Sequence, residues 1–315
     1  MAAAVVLAVM IPHSADASTA PVLLSPPVTV TPEPGVRPHV MLIVEENRSE
    51  GAVIGSLQAP YVNALANRYG VATSSYAVSH PSLPNYLELL SGSTWGVTDD
   101  GTGYSLPGPT LAGQLQQRGI RWRAYMESMP HACYAGAGYN GYAKKHDPFM
   151  YFTSITGSAA SCANVVPFQD LHADVASGAA PDFLWITPNL CDDGHDCSTA
   201  TMDGWLATNV PPLLASSWFA QDGVVIITWD EASDSGGCCG GAHGGRIATI
   251  VVSSRLYLHT TSATPVDHAG TLRTIEELYK LPYLGDAACA CSGDLLSLVE
   301  SPPAELTWLT VPHYR

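Results

Sequence analysis

Charged residues are scarce in this chain, and positive charge is the scarcest. Only 13% of the 315 residues are charged, and 13 Lys and Arg face 28 Asp and Glu, for a formal net charge of −15. A field of that sign does not attract nucleic acid, so nucleic-acid partners are excluded on charge. If the substrate is an anion, it must be attracted locally, by a bound cation or by a helix N-terminus.

Several familiar catalytic and binding motifs are also missing. The sequence has no GxxxxGK[ST] phosphate loop, no HExxH zinc motif, no GxSxG nucleophile elbow and no CxxC pair. These absences argue against a P-loop enzyme, a zincin protease, an α/β-hydrolase esterase and a zinc ribbon. After the first residues, no apolar run approaches the ~20 residues that a membrane span needs, so no stable membrane anchor is predicted.

The first 37 residues divide into two segments of different composition. Residues 1–17 contain a short apolar stretch followed by Ala15-Asp16-Ala17, a small-residue cleavage pattern, and they predict a signal peptide. The positively charged segment that usually starts such a peptide is missing, and a disordered tail is the alternative. Residues 18–37, rich in Pro, Thr and Val, predict an extended linker, and 38–315 predict a single domain.

Eight cysteines, an even number, occur in four sequence-local pairs. With an export signal, disulfides are the favoured interpretation, and the protein is predicted to be secreted. Cys133–Cys162 and Cys191–Cys197 are the pairings we expect, although sequence alone does not fix connectivity.

An apolar core of considerable size is available, since 46% of the residues are hydrophobic. Near-continuous β-branched runs predict buried strands at 39–44, 183–187, 224–228 and 247–253. Helical spacing of apolar residues predicts helices at 61–69, 84–90, 110–117, 203–217 and 269–279. The alternation predicts an α/β fold with a mainly parallel central sheet flanked by helices on both faces. The segment of about 119–180, rich in Tyr, Gly, Ser and Ala, is interpreted as an insertion that caps the site.

Polar clusters follow the predicted strands, where ligands bind in open α/β sheets. They comprise Glu46 and Asn47, then Asp192, Asp193 and His195, then Asp230 and Glu231, and His243 just before the fourth strand. A single such carboxylate is more often a cap or a turn residue. Carboxylates at three strand ends, however, would repel one another in one crevice unless a cation neutralised them. Zn²⁺, Mn²⁺, Mg²⁺ and Ca²⁺, as one ion or two, all suit oxygen ligands with imidazoles.

The candidate nucleophile is Ser82, in the segment SHPSLPNY. A helix is predicted to begin near Pro84, which places Ser82 at or just before a helix N-terminus. Unpaired peptide N–H groups and the helix dipole there favour an alkoxide and a phosphate. A plain N-cap is the alternative for such a serine.

The segments IVEEN, SHPSLPNYLELLSG, PNLCDDGHDC and ITWDE, with a Gly-rich stretch before a strand, occur in an order that resembles a known family. This is the bacterial phosphoesterase family of acid phosphatases and phospholipase C-like enzymes, within the alkaline-phosphatase superfamily. MESMPHACY and KKHDPFMYF also resemble family segments, and the resemblance covers nearly the whole mature chain.

The resemblance implies roles for individual residues. Ser82 corresponds to the nucleophile and would also contact metal, and Asn47 would contact metal or phosphate. The implied metal ligands are Glu46, Asp230, Glu231, Asp193, His195 and His243, with Asp192 as an alternative to Asp193. If only one metal binds, Asp193 and His195 would instead supply general acid and base.

The sequence also suggests roles for one asparagine and three histidines outside these clusters. Asn85 is a substrate-binding candidate, and His146 is a candidate that would reach the substrate from the cap. His268 opens a helix, where it either lines the pocket or serves the helix start. His80 precedes a proline and is interpreted as structural.

The function implied is hydrolysis of phosphate monoesters through a phosphoseryl intermediate. A phospholipase C-type diesterase is the main alternative, so the ligand is a small phosphate ester or a phospholipid headgroup. Two further hypotheses are a serine carboxyl-ester hydrolase and a secreted binding protein without catalysis.

Overall fold

The computed structural model describes residues 38–255 and 259–300, which build a sheet of eight strands and two small two-stranded sheets. The strands are β1 (His39–Glu45), β2 (Gly70–Ala72), β3 (Ser75–Tyr76), β4 (Trp122–Met126), β5 (Gly138–Tyr139), β6 (Tyr142–Ala143), β7 (Val165–Pro167), β8 (Phe183–Thr187), β9 (Gly223–Trp229), β10 (Arg246–Ile247), β11 (Thr249–Ser253) and β12 (Thr260–Ser262). The main sheet has the order β12-β2-β11-β9-β1-β8-β4-β7.

The sheet is mainly parallel, as predicted. From β9 through β1, β8 and β4 to β7 every neighbouring pair is parallel. Only β11 runs against its neighbours β9 and β2. The four predicted strands correspond to β1, β8, β9 and β11, although the run at 247–253 divides, because β10 leaves it to pair with β3.

Both faces of the sheet are covered, which explains the continuous apolar strands. In β1 the side chains of Val40, Leu42 and Val44 enter one core, while Met41 and Ile43 enter the other. This alternation follows from the two-residue repeat of a strand. Helices therefore pack on both faces, which confirms the predicted α/β class.

Each of the five predicted helices corresponds to an α-helix of the described residues to within four residues at each end, and the sequence does not predict the five other α-helices. The described α-helices are α1 (Pro60–Arg68), α2 (Ser82–Ser91), α3 (Leu111–Gln117), α4 (Thr153–Thr156), α5 (Ala159–Cys162), α6 (Gln169–Ala176), α7 (Thr199–Leu214), α8 (Ser217–Asp222), α9 (His268–Tyr279) and α10 (Leu296–Val299). Short 3₁₀ turns lie at Glu50–Ala52, Lys144–His146, Pro148–Tyr151, Gly285–Ala288 and Ala290–Ser292.

The structure corrects the insertion predicted at about 119–180. Two stretches of this segment, β4 and β7, are strands of the main sheet, and β4 pairs directly with β8. β4 (WRAYM) contains no β-branched residue and β7 (VVP) has only three residues, so neither forms a β-branched run of the length that predicts a strand. The part between them contains the β5–β6 hairpin and the 3₁₀ turn Lys144–His146, and this turn carries His146 to the site described below.

The two expected disulfides, Cys133–Cys162 and Cys191–Cys197, are present, together with Cys238–Cys239 and Cys289–Cys291. The predicted signal peptide and linker lie outside the described residues. Within the described ranges, no helix has the length and apolar character needed to cross a membrane.

Candidate active site

The carboxyl ends of β8, β1 and β9 bring three acidic segments together. Glu46 follows β1, Asp193 lies in the loop after β8, and Asp230 follows β9. Because these strands are adjacent and parallel, their ends meet at one edge of the sheet. Peptide hydrogen bonds fix the arrangement, from Glu46 N to Asp193 O and from Asp230 N to Glu45 O, each 2.9 Å long.

Ser82 faces this acidic group from the first turn of α2. Its side chain is buried, and its hydroxyl donates to Oε2 of Glu46 at 3.1 Å. Oε1 of Glu231 lies 3.4 Å from the same hydroxyl. The predicted position of Ser82 at a helix N-terminus is confirmed, since α2 begins at this residue. A hydroxyl beside carboxylates can lose its proton when it attacks, as a nucleophile must.

Asn85 holds the segment before Ser82, residues 77–81, which we call the nucleophile loop after the predicted role of Ser82. Its Oδ1 accepts from the peptide N–H groups of Val78 and Ser79 at 3.0 and 2.9 Å. Its Nδ2 donates to the carbonyls of Ser79 and Pro81 at 2.9 and 3.1 Å. The amide has no spare donor for a ligand, so the structure corrects the interpretation of Asn85 as substrate-binding.

His146 lies between two of the carboxylates. The sequence predicted that it would reach the substrate from a cap, but its side chain is buried within the site. Its Nε2 is 3.2 Å from Oε1 of Glu46, and its Nδ1 is 3.2 Å from Oδ2 of Asp193. Its ring stacks on Tyr86 with the centroids 5.2 Å apart. His146 is therefore part of the acidic group itself, and its contact with substrate stays a prediction.

One set of side chains has the arrangement of a metal site. Ligand atoms of Glu46, His146 and His195 lie within 4.8 Å of one another. Burial, Lys145 and His195 hold the pKa of His146 well below its ordinary value, which favours the neutral imidazole that binds metals. In the described part of the chain, Nε2 of His146 and Oδ2 of both Asp193 and Asp230 are buried without a hydrogen-bond partner. These orphaned atoms and their donor types fit a divalent cation.

Burial and mutual repulsion raise the pKa values of the acidic residues. Burial, Asp230 and Asp193 raise the pKa of Glu46 well above its ordinary value. Burial raises the pKa of Asp193 to about 8. Burial and the neighbouring Glu231 raise the pKa of Asp230 to about 7, and burial and Asp100 raise that of Glu231 to about 7. A cation among these groups would reverse this effect and keep all four ionised.

Of the two adjacent candidates, Asp193 and not Asp192 joins the group. Asp193 is fully buried, and its Oδ1 also accepts from the peptide N–H of His195 at 2.7 Å. Asp192 instead accepts from the amide of Asn189 at 2.8 Å. Asn47 enters through its backbone, because its peptide N–H donates to Oδ1 of Asp230 at 3.0 Å while its φ is +45°.

His243 is placed differently from the prediction, whereas His268 opens α9 as the sequence predicted. The exposed ring of His243 contacts the carbonyl of Gly241 at 2.9 Å and lines a separate cavity. His268 is buried, and its Nε2 lies 3.0 Å from the carbonyl of Trp229. It therefore contacts the strand end that leads to Asp230 and not the space in front of Ser82. In the loop before β10, the peptide N–H of His243 donates to the carbonyl of Val78. The loop therefore runs beside the nucleophile loop, and this path directs the imidazole of His243 away from the acidic group.

Sequence reasoning missed three residues of the site. Tyr86 donates its hydroxyl to Oε1 of Glu46, and it could have been found because it lies one helical turn after Ser82. Nδ1 of His80, which was interpreted as structural, contacts Oε2 of Glu231. Nζ of Lys145 lies 3.0 Å from both Oδ2 of Asp100 and Nε2 of His195. Lys145 precedes His146 in the sequence, so the segment KKHDPFMYF already contained it.

Comparisons with known proteins agree with this geometry. The Phosphoesterase family profile matches residues 56–282. A phosphatidylinositol-3-phosphatase of Mycobacterium tuberculosis is 30% identical over 80% of this chain and 80% of its own. A phosphate-repressible acid phosphatase of Penicillium chrysogenum is 28% identical over 78% of this chain, which spans only 60% of that relative's length.

The fold also has solved counterparts. A protein of the alkaline phosphatase superfamily from Vibrio parahaemolyticus superimposes with a TM-score of 0.55 and 13% identity, over 87% of this chain and 74% of its own. At that identity the likeness concerns the fold alone, and the fold is the one predicted. The chain belongs to the Phosphoesterase family, and it is a hydrolase that acts on phosphate esters.

Proposed function

We propose that this protein is a secreted, metal-dependent phosphomonoesterase of the acid phosphatase type, with Ser82 as its nucleophile. The observation that carries the proposal is the Ser82 hydroxyl at the start of α2, hydrogen-bonded to Glu46 and close to Glu231. A serine kept merely as a helix cap would not need buried carboxylates around its hydroxyl.

The cation would be held by Glu46, His146 and His195, with Asp193, Asp230 and Glu231 close enough to complete its shell. Once bound, a divalent ion supplies Lewis-acid stabilisation of charge on phosphate oxygens and lowers the pKa of a nearby hydroxyl. The donors are mixed oxygen and nitrogen, which suits Zn²⁺ or Mn²⁺ and also permits Mg²⁺ or Ca²⁺ with fewer imidazoles.

In the first chemical step, Oγ of Ser82 passes its proton to Glu46 and attacks phosphorus. The bond from Oγ to phosphorus forms while the bond from phosphorus to the ester oxygen breaks, giving phosphoserine and an alkoxide. Lys145, whose Nζ lies 3.0 Å from Nε2 of His195, would give that alkoxide a proton. In the second step Lys145 takes a proton from water, whose oxygen attacks phosphorus. The bond between phosphorus and Oγ breaks, phosphate leaves, and Glu46 returns its proton to Oγ of Ser82.

Lys145 would also attract the substrate. The chain carries a net charge of −15, so a phosphate dianion needs a local cation in order to approach. The ammonium group of Lys145 is about one-fifth exposed and points to the group that contains Asp100 and His195. Asn47, whose peptide N–H donates to Asp230, would contact phosphate through its side-chain amide.

The names of the relatives favour a monoester substrate, since they are a phosphatidylinositol-3-phosphatase and acid phosphatases. A phospholipase C-type diesterase would use the same nucleophile and metal group but needs room for a second ester substituent. The disulfides of the described chain support export to an oxidising compartment.

Hydrolysis of p-nitrophenyl phosphate beside bis-p-nitrophenyl phosphate, before and after chelation, tests the proposal. We expect faster turnover of the monoester, loss of activity with chelator, and recovery when a divalent metal is restored. Faster turnover of the diester would favour the phospholipase C-type enzyme, and chelator-resistant activity would contradict metal dependence.

The Ser82→Ala variant tests the nucleophile. Turnover should fall by a factor of about 10³ or more while the far-UV spectrum stays unchanged. The matched control is Ser91→Ala, since Ser91 is also buried in α2 but its hydroxyl donates to the Leu87 carbonyl, away from the carboxylates. Substantial activity in Ser82→Ala would sink the assignment.

A further inference from the structure

An acidic cavity lies behind the nucleophile loop, apart from the carboxylates that face Ser82. It has a volume of about 520 Å³ and is lined by Glu88 of α2, Asp267 at the start of α9 and Asp286 of the turn Gly285–Ala288. Val78 and Ser79 form another part of its wall. The cavity therefore adjoins both α2, which begins at Ser82, and the loop that precedes this helix.

Glu88 is the unusual member of this wall. Its side chain is 1% exposed, and neither carboxylate oxygen has a hydrogen-bond partner in the described part of the chain. Burial, with Asp286 and Asp267 as neighbours, raises its pKa to about 8. A buried carboxylate without a partner is strongly unfavourable, so native structures usually supply a proton or a cation.

The described part of the chain supplies no cation to this cavity. Among the described residues that line the cavity there is no Lys or Arg, and the one imidazole, that of His243, is turned to the carbonyl of Gly241. Asp267 already accepts from the peptide N–H of Gly270 at 2.9 Å and caps α9. The hydroxyl groups of Ser79 and Ser292 add neutral oxygen atoms to the wall.

We propose that this cavity binds a hard divalent cation of the Ca²⁺ type, with the carboxylates of Glu88 and Asp286 as its charged ligands and Asp267 as a third negative charge. These three carboxylates do not converge as closely as the ligand atoms of Glu46, His146 and His195. The ion therefore keeps several waters, which Ca²⁺ tolerates because its coordination by six to eight oxygens is flexible. Such an ion would join α2 to the turn at Gly285–Ala288 and so steady the helix that carries Ser82.

Equilibrium dialysis of radioactive Ca²⁺ against the chelated full-length protein tests this site. The wild-type chain should bind Ca²⁺ at one class of site that the Glu88→Gln variant lacks. Glu276→Gln is the matched control, because Glu276 is also a buried glutamate whose pKa is raised to about 8, yet it does not line the cavity. Its Ca²⁺ binding should equal that of the wild type.

A second variant keeps the test decisive if Glu88→Gln does not fold. Asp286 is exposed at the cavity rim, so Asp286→Asn should fold and should weaken Ca²⁺ binding by about tenfold or more. Unchanged Ca²⁺ binding in a folded Glu88→Gln or in Asp286→Asn would overturn the proposal and leave Glu88 as a protonated acid. The readout is binding and not turnover, so it stands apart from the proposed hydrolysis.

Discussion

At the scale of single residues, the site is defined by acidic side chains that are buried side by side. Glu46, Asp193 and Asp230 are each fully buried, and Ser82 contacts the first of them. Their raised pKa values show that the polypeptide alone does not neutralise them. A charged ligand, either the proposed metal or a proton, is therefore part of this arrangement.

Substitution of Tyr86 tests whether activity depends on the hydrogen bond that holds Glu46 in position. Tyr86→Phe removes the hydroxyl that donates to Oε1 of Glu46 but keeps the ring that stacks on His146. We expect kcat/KM for p-nitrophenyl phosphate to fall by about tenfold or more, as happens when an outer partner of a metal ligand is lost. Metal affinity, measured by titration after chelation, should fall in parallel.

The control for this substitution is Tyr104→Phe. The hydroxyl of Tyr104 also donates to a carboxylate, that of Asp99 at 2.8 Å, but this pair is exposed. Its loss should leave kcat/KM unchanged. Equal activity of Tyr86→Phe and wild type would show that Glu46 needs no such partner.

At the scale of elements, α2 and the nucleophile loop form one unit. Asn85, on the first turns of α2, makes four hydrogen bonds to the backbone of residues 78–81. The residue that looked like a ligand-binding group in the sequence is thus the one that fixes the path of the chain into Ser82.

Asn85→Ala should therefore lose both stability and activity. Four partly buried backbone groups would lose their partner, which we expect to lower the free energy of unfolding by about 2–4 kcal/mol. The activity that remains per folded molecule, measured below the unfolding transition, should also fall, because the loop before Ser82 is no longer fixed.

Asn63→Ala is the matched control, because the side chain of Asn63 makes the same kind of hydrogen bonds to the backbone in a different part of the chain. Its amide accepts from Gly55 and donates to the carbonyls of Val53, Ser56 and Ala59. This variant should be destabilised without any change in activity per folded molecule. A similar loss of activity in both variants would show that destabilisation, and not the loop, is responsible.

At the scale of the whole molecule, an acidic chain buries several carboxyl groups away from the catalytic group. Glu276 on α9 is one of them, since burial raises its pKa to about 8 and one of its oxygens has no hydrogen-bond partner within the described ranges. In the unfolded chain this group ionises near its ordinary pKa of 4.5, whereas the folded chain keeps the proton to about pH 8. The folded state then binds more protons, so the stability that Glu276 contributes declines as the pH rises from about 4.5 to about 8.

The Glu276→Gln variant should remove part of this pH dependence. We expect the drop in thermal stability between pH 5 and pH 8 to be smaller in this variant than in the wild type, in the presence of chelator. Thermal unfolding followed by circular dichroism at several pH values measures it. An identical pH profile in both proteins would mean that Glu276 ionises normally in the folded chain.

The sequence by itself determined the class of fold, the family and the helix start at which the proposed nucleophile lies. Periodicity recovers buried strands such as β1 and β8, because a strand covered on both faces must be apolar throughout. It also places Ser82 at a helix start, since local sequence decides where a helix begins. The ends of these apolar strands are also recognisable in the sequence, because the apolar run stops there. Glu46 and Asp230 could therefore be placed directly after two strands.

Only the tertiary structure decided which polar side chains meet. It brought His146 and Tyr86 to Glu46, turned His243 away, and committed Asn85 to the backbone. It also placed β4 and β7 in the sheet, because partners distant in sequence make short strands stable where their own composition does not. Contacts of this kind depend on loop paths and burial, which no local pattern of residues specifies.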